Sequence, residues 1–409
     1  MGHVQDLWHK TVPDLDKGGV ARVKTHLHGK GNRYRARYTD HTGAERSKSF
    51  PDRSKKHAEE FLADVESGKR AGTYIDPKAG DLPLGDYATA WLRSKTFDEA
   101  SREALDRQLR NHINPPLGRR PLAALTPTDI RGWDRELQQK GLSGSYRLAI
   151  FITVQAILDA AMDDGMIRQN PCRAKSVTKP QPAPRRITPW SAERVRALHA
   201  ALPSRMRVTL PLGAGLGLRQ GETFGLALDD IDFVGHRVHI VRQVKILRGR
   251  LCFGPPKGGR TRDVPLPDSV AHALNEHITA HPPHRVTLPW QATTGPPVTA
   301  ELILTNRSGG ALRRNSYNGT AWSPAFQTVT GAKPTRSDGF HALRHFYASA
   351  LLDAGESIAA VSRHLGHADP GFTLRTYTHL MPASQQRTRQ AIDGIFPPAA
   401  PSPDGTSTA

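Results

Sequence analysis

The sequence predicts a multidomain α+β protein. A small three-stranded sheet with a covering helix comes first, then a helical bundle, then a larger mixed but mainly α domain. Three observations carry this. Residues 20–50 hold short runs in which basic side chains alternate with small or apolar ones. Residues 84–170 repeat apolar side chains at helical spacing. A Pro- and Lys/Arg-rich stretch, "AKSVTKPQPAPRR" at 174–186, separates these from a portion of mixed pattern. The 409 residues suffice for two or three domains, and the net charge of +19, mostly interspersed, calls for a polyanionic partner, nucleic acid before a membrane surface.

In the first domain, 1–72, "ARVKTH" sets Arg22 and Lys24 against Ala21 and Val23. "RYRARY" sets Arg33, Arg35 and Arg37 against Tyr34, Ala36 and Tyr38, and "ERSKSF" puts Arg46 and Lys48 on one face. Period-two alternation with turns at "GKGN" and "DHTG" predicts three antiparallel strands sharing one basic face. Such a face can enter a DNA major groove. Phe50 has the parity of Arg46 and Lys48, so it is expected to bend towards the helix that starts near Ser54 and carries Ala58, Phe61, Leu62 and Val65.

The second domain, 82–174, begins with a stripe of Leu84, Tyr87, Ala88, Trp91 and Leu92. Thr126-Pro127-Thr128-Asp129 is a helix start, with Ile130, Trp133 and Leu137 following on one face. A long helix is expected from Gly144 to near Gly165, completing a four-helix bundle whose Arg107, Arg110, Arg119 and Arg120 would permit DNA contact. The third domain is expected over 186–394, and the Pro- and Ser-containing tail 395–409 is expected to be disordered. No stretch approaches 18 consecutive apolar residues, so no transmembrane helix is expected, and "MGHVQDLWHK" has no apolar signal core. Cys172 and Cys252 match neither a metal site nor a disulfide framework, which fits a reduced, cytoplasmic compartment.

The third domain concentrates the chemistry. "GAGLGLRQGE" is glycine-rich but matches neither the dinucleotide fingerprint nor the P-loop; its Arg219 and Glu222 stand one helical turn apart. Lys257 lies between Pro and Gly, where a hairpin tip is expected. "HALRHF" places His341, Arg344 and His345 on a helix, and His364, His367 and Tyr377 follow. His341 and His345 have the spacing of a zinc helix, but the intervening residues lack the catalytic Glu and include an Arg, which disfavours a cation. A phosphodiester suits this set. Two arginines can clamp its nonbridging oxygens, and histidines can add donors. A tyrosine hydroxyl, about 0.1% ionised at neutral pH, needs a cationic pocket to attack. A lysine can protonate the leaving sugar oxygen.

Together, "GLGLRQGE", "PKGGRTRDVPL", "HALRH" and "LGHADPGFTLRTYTH" resemble the four boxes of the tyrosine recombinases, the phage integrase family. The resemblance covers the third domain fully and implies the tyrosine recombinase catalytic fold. It likens the second domain to the SAM-like core-site-binding domain, and the first to the sheet-plus-helix domain that binds arm-type sites. It implies that Tyr377 attacks the scissile phosphate to form a 3′-phosphotyrosyl link, that Arg219 and Arg344 clamp the phosphate, and that Lys257 protonates the leaving 5′ oxygen. It gives His341 and His367 as phosphate donors, His341 also aiding proton transfer from Tyr377, and Glu222 as an orienting group; His345 and His364 are read as structural. The small and polar neighbours of Tyr377 are expected to place it on an exposed helix or loop that enters a DNA-facing cleft.

The implied function is site-specific recombination that integrates and excises a mobile element. The partners are double-stranded DNA with core and arm attachment sites and a homotetramer on that DNA, with an excision directionality factor and a host DNA-bending protein as further candidates. No membrane, metal or cofactor is implied, because the phosphotyrosine stores the bond energy. Two other readings stand beside it: a sequence-specific DNA-binding protein that does not cut, and a type IB topoisomerase. The Pro-rich insert at 281–300 has no assigned role.

Overall fold

The computed structural model describes residues 2–14, 19–40, 43–70, 79–183, 187–367 and 369–377. The tail at 395–409, the centre of the segment expected to link the first two domains, and residues 184–186 lie outside them. The chain divides into two compact units, Met1–Phe97 with Ser101–Ala183, and Asp98–Ala100 with Pro184–Ala409.

The first unit holds two separate apolar cores. One lies between a sheet and the helix Lys55–Arg70, which buries Ala58, Leu62 and Val65 against Tyr34, Ala36 and Tyr38. The sheet differs from the expected one. Its strands are β1 (His3–Asp6), β4 (Tyr34–Thr39) and β5 (Glu45–Phe50), in the order β1-β4-β5. The "ARVK" run instead belongs to β3 (Gly19–Lys24), which pairs with β2 (His9–Asp14) as a separate two-stranded ribbon.

The shared basic face also fails. Ala36 pairs with Lys48 and Tyr38 with Arg46, and directly paired residues in an antiparallel ladder share a face. Arg46 and Lys48 therefore lie on the helix-covered side, opposite Arg35 and Arg37. Lys48 makes this tolerable by lying over the rings of Phe50 and Phe61, at 5.5 and 4.7 Å, while Arg46 reaches Asp40 at 3.0 Å. Phe50 packs on Phe61 with ring centroids 5.8 Å apart, so its parity follows from the helix it covers.

The second core belongs to the bundle of helices Leu84–Ser94, Glu99–Gln108, Pro127–Gln139 and Gly144–Asp163. Thr126 caps its helix in a reciprocal capping box with Asp129, and Ile130, Trp133 and Leu137 are buried. Gly144–Asp163 does reach the length and mean hydropathy, 1.3, of a membrane span. Arg147, Gln155 and Asp159 interrupt it, and its apolar face of Ile150, Phe151, Val154, Ile157 and Leu158 is packed into the bundle core.

In the second unit, β10 (Arg262–Pro265), β7 (Arg237–Ile240) and β6 (Ile231–Asp232) form one sheet in that order. β8 (Gln243–Leu247) and β9 (Arg250–Gly254) form a hairpin turned at Arg248 and Gly249, both at positive φ. The Pro-rich insert forms a second hairpin, β11 (His284–Pro289) with β12 (Pro297–Leu302). Its Trp290 and Gln291 join the end of β9, where Gln291 N donates to the Phe253 carbonyl at 2.8 Å. Helices Gln220–Phe224, His341–Asp353, Ile358–Leu365 and Pro370–Tyr377 carry Glu222, His341, Arg344, His345, His364 and Tyr377; Arg219 precedes the first and His367 follows the third.

Candidate active site

The site is built from glycine turns that aim carbonyls at arginines. Gly217, at φ 64, lies within the "GLGL" segment; a Cβ there would come within 2.5 Å of the Tyr347 ring. Its carbonyl accepts from Arg344 Nη1 at 2.7 Å, and Arg344 Nη2 bonds the Leu365 carbonyl. Gly366, at φ 61, caps the helix Ile358–Leu365, and its carbonyl accepts from Arg219 Nη2 at 3.4 Å. The two arginines are thereby tied to neighbouring carbonyls of one turn. Arg344 is 1% exposed, and burial, then the charge of Arg219, push its pKa down to about 9.

Glu222 organises this cluster from below. Its carboxylate accepts from the Arg219 backbone N at 2.9 Å and from Arg219 Nη1 at 2.8 Å. It also accepts from Arg262 Nη1 at 3.1 Å and Nη2 at 2.7 Å. Burial alone would raise the Glu222 pKa, but the Arg262 hydrogen bonds and the charges of Arg262 and Arg219 hold it at about 2. Arg262 Nε then donates to the His364 carbonyl at 2.6 Å, so one guanidinium links the helix that Arg219 caps to the end of the helix Ile358–Leu365.

Tyr377 ends the helix Pro370–Tyr377 and is 2% exposed. The expectation of an exposed nucleophile is corrected: the ring packs among Tyr347, Ala348, Leu352, Val361 and Leu365. Small and polar neighbours in sequence do not imply exposure, because the turn of the helix directs Tyr377 inward with Thr373 while Leu374 and Arg375 face out. Its hydroxyl lies 2.7 Å from His345 Nδ1. Burial pushes the Tyr377 pKa up to about 12, against the opposing charge of Arg344. Burial and Arg344 together lower His345 to about 4, which leaves it neutral at pH 7. His367 Nδ1 meets the Thr373 hydroxyl at 2.7 Å, and burial with Arg344 lowers it to about 4 as well.

The matches to known proteins follow the same outline. Residues 190–384 match the model of the phage integrase family, a span that contains Arg219, Lys257, His341, Arg344, His367 and Tyr377. Residues 190–384, a little under half of the chain, form a domain of the phage integrase family. The chain is a DNA strand-cleaving and rejoining enzyme of site-specific recombination. A tyrosine recombinase XerC-like protein of Caldanaerobacter subterraneus subsp. tengcongensis is 26% identical over 376 residues, covering 87% of this chain and 94% of that protein. The integrase of Mycobacterium phage D29 is 23% identical over 324 residues, 78% of each chain. Among solved structures, the Tn1549 transposon integrase in complex with a circular intermediate DNA superposes with a TM-score of 0.65 at 18% identity, over 76% of this chain and 99% of that one. A lambda integrase dimer bound to a core site superposes at 0.55 and 17% identity, over 84% and 91%. Both likenesses establish a shared fold.

Five of the six predicted reactive residues of the recombinase come together. Arg219 and Arg344 meet the Leu365–His367 turn, His341 stacks edge-on against His345 at 4.6 Å, and His345 meets Tyr377. Lys257 stands apart. It is exposed, and it lies not at a hairpin tip but in the connection from β9 to β10, which belong to different sheets. Among the described residues it shares no hydrogen bond or ion pair with the other five. Glu222 joins the cluster as an orienting group. His364 gives its carbonyl to Arg262, and its ring lies 3.4 Å from the Tyr347 hydroxyl.

Sequence reasoning overlooked Arg262 and read His345 as structural. Arg262 lies inside the quoted "RTRDVPL", with period-two parity to Val264 and Leu266, the one signal that it faces inward. His345 directly follows Arg344, but its contact with Tyr377 spans 32 residues and leaves no trace in local pattern. In the first unit, four of the expected DNA-contacting residues are engaged by acidic side chains, Arg46 by Asp40 as described above. Arg22 and Arg33 both bind Asp6, Arg33 also binds Asp52 at 2.9 Å, and Arg37 meets Glu45 at 3.2 Å. Lys24 is exposed on the ribbon.

Proposed function

We propose that the recombinase integrates and excises a mobile element through a 3′-phosphotyrosyl intermediate, with Tyr377 as nucleophile. The observation that carries this is the convergence of Arg219 and Arg344 on the turn at Leu365–Gly366, with the hydroxyl of Tyr377 buried beside the Arg344 helix. Each guanidinium has five N–H groups and uses two of its nitrogens in the bonds described above, and the N–H groups left over on two such cations suit the paired nonbridging oxygens of a phosphodiester. His341 and His367 add donors to that oxygen pair. Lys257, on its exposed loop, delivers a proton to the departing 5′ oxygen when DNA fills the cleft. No cofactor enters, because the phosphotyrosine conserves the energy of the broken bond for a new 5′ hydroxyl.

The division of labour proposed for the rest assigns arm-type DNA to residues 1–72, core-site DNA to 82–174 and strand transfer to 186–394. The basic charge and the family's DNA-bound relatives support double-stranded DNA as the partner. A lambda integrase tetramer bound to a Holliday junction supports assembly as a homotetramer on DNA. A directionality factor and a host DNA-bending protein complete the proposed partners, and the cytoplasm is the proposed compartment.

A recognition duplex can be enriched from a random-sequence pool by binding to the full chain. Plasmids carrying two copies of it should recombine, and plasmids carrying none should stay supercoiled. Relaxation of the site-free plasmid would support the type IB topoisomerase reading instead, and binding without strand exchange the non-cutting reading.

A further inference from the structure

Among the described residues the hydroxyl of Tyr377 has one hydrogen-bond partner, and it is not the histidine of the His-x-x-Arg box. His341 is exposed at the start of its helix and shares no hydrogen bond with Tyr377 among the described residues. His345 stands one turn later, half-buried, with Nδ1 2.7 Å from the Tyr377 oxygen and the two rings 5.8 Å apart. The charged and titratable groups facing it are His341 and Arg344 on its own helix, His367 before the last helix, Tyr377 on the last helix, and Arg194, Arg336 and Asp338 across a cavity of about 810 Å³.

We propose that His345 is the proton acceptor for Tyr377. This rests on the reading of Tyr377 as nucleophile. The hydroxyl proton passes to Nδ1 as the Oη–P bond forms; the P–O5′ bond breaks, and O5′ takes a proton from Lys257 Nζ. A neutral tyrosine and a neutral histidine become a phosphotyrosyl diester and an imidazolium, and rejoining runs the same transfers backwards. The geometry favours this assignment in two ways. The distance is that of a formed hydrogen bond, so no rearrangement of the helix His341–Asp353 is needed to begin the transfer. Tyr377 is 2% exposed, so bulk water has little access to take the proton instead.

The test is single-turnover cleavage of a nicked suicide form of the enriched duplex by full-length chain. His345→Asn keeps an acceptor oxygen near the Nδ1 position but cannot carry the proton away, and His345→Ala leaves room beside the cavity for added imidazole. Both should bind the duplex as wild type does and cleave about 10²–10⁴-fold more slowly at pH 7. Their deficit relative to wild type should shrink about tenfold per pH unit between pH 6 and 8, as hydroxide replaces the missing base. Imidazole should restore part of the Ala rate. A His345→Asn enzyme within about threefold of wild type, or a deficit that neither pH nor imidazole moves, overturns the proposal. If the Asn variant loses duplex binding, His345→Gln is read against the same outcomes. A covalent adduct formed by Tyr377→Phe would instead overturn the nucleophile reading beneath it.

Discussion

At the scale of single residues, the buried Glu222–Arg262 pair matters most to the site's geometry. Glu222 carries no exposed side-chain area and Arg262 only 5%, so removing Arg262 leaves a buried carboxylate with Arg219 as its remaining cation. Arg262→Met should cost about 3–5 kcal/mol in urea unfolding, and Glu222→Leu in the same chain should recover most of it. Cleavage should not recover, because Arg219 then lacks the carboxylate that orients it. Recovery of both would mean that Glu222 serves stability alone. A second prediction concerns acid. His345 and His367 titrate at about 4 in the fold against 6.5 for an unperturbed histidine. Their folded pKa values are depressed, so the unfolded chain takes up protons first, and the stability they contribute above pH 6.5 is lost as pH falls towards 4. Allowing for partial exposure, each should account for about 1–2 kcal/mol of the loss. His367→Gln should show a smaller fall in urea stability between pH 7 and pH 4.5 than wild type, and an equal fall would contradict the shift.

At the scale of elements, the sheet separates the basic residues by face. Arg35 and Arg37 pair with Ser49 and Ser47 on the side away from the covering helix, while Arg46 and Lys48 lie on the helix side. Arg35 also has a buried Nε without a hydrogen-bond partner among the described residues. Arg35→Ala with Arg37→Ala should therefore weaken arm-type DNA binding and lower the salt dependence by about one unit of slope per lost phosphate contact. Lys48→Ala should change binding little, since its ammonium sits over two rings. Equal losses from both faces, measured by titration at several salt concentrations, would contradict the register. The same elements show what sequence could reveal. "RYRARY" and "ERSKSF" are legible as strands because each holds its alternation for six residues. Their partner "HVQD" is four residues long and hard to distinguish by pattern, so the longer "ARVKTH" run takes its place in the reading. The helices of the bundle are legible because stripes and caps agree, as at Thr126 and Asp129. The four boxes are legible because each packs its reactive side chains into a short stretch. The contacts that Arg262 and His345 make join residues 40 and 32 positions apart, and nothing local encodes them.

At the scale of the whole molecule, a net charge of +19 and a catalytic cluster with two arginines facing one turn point to the same polyanion. The central claim is that Tyr377 becomes covalently joined to DNA. The measurement that tests it most directly is trapping on the nicked suicide duplex, with the adduct digested and its modified peptide sequenced by mass spectrometry beside a Tyr377→Phe control. The account predicts an adduct in wild type alone, with the 3′-phosphoryl end attached at Tyr377. An adduct at another residue, or none from a protein that binds the duplex and folds as wild type does, would contradict it.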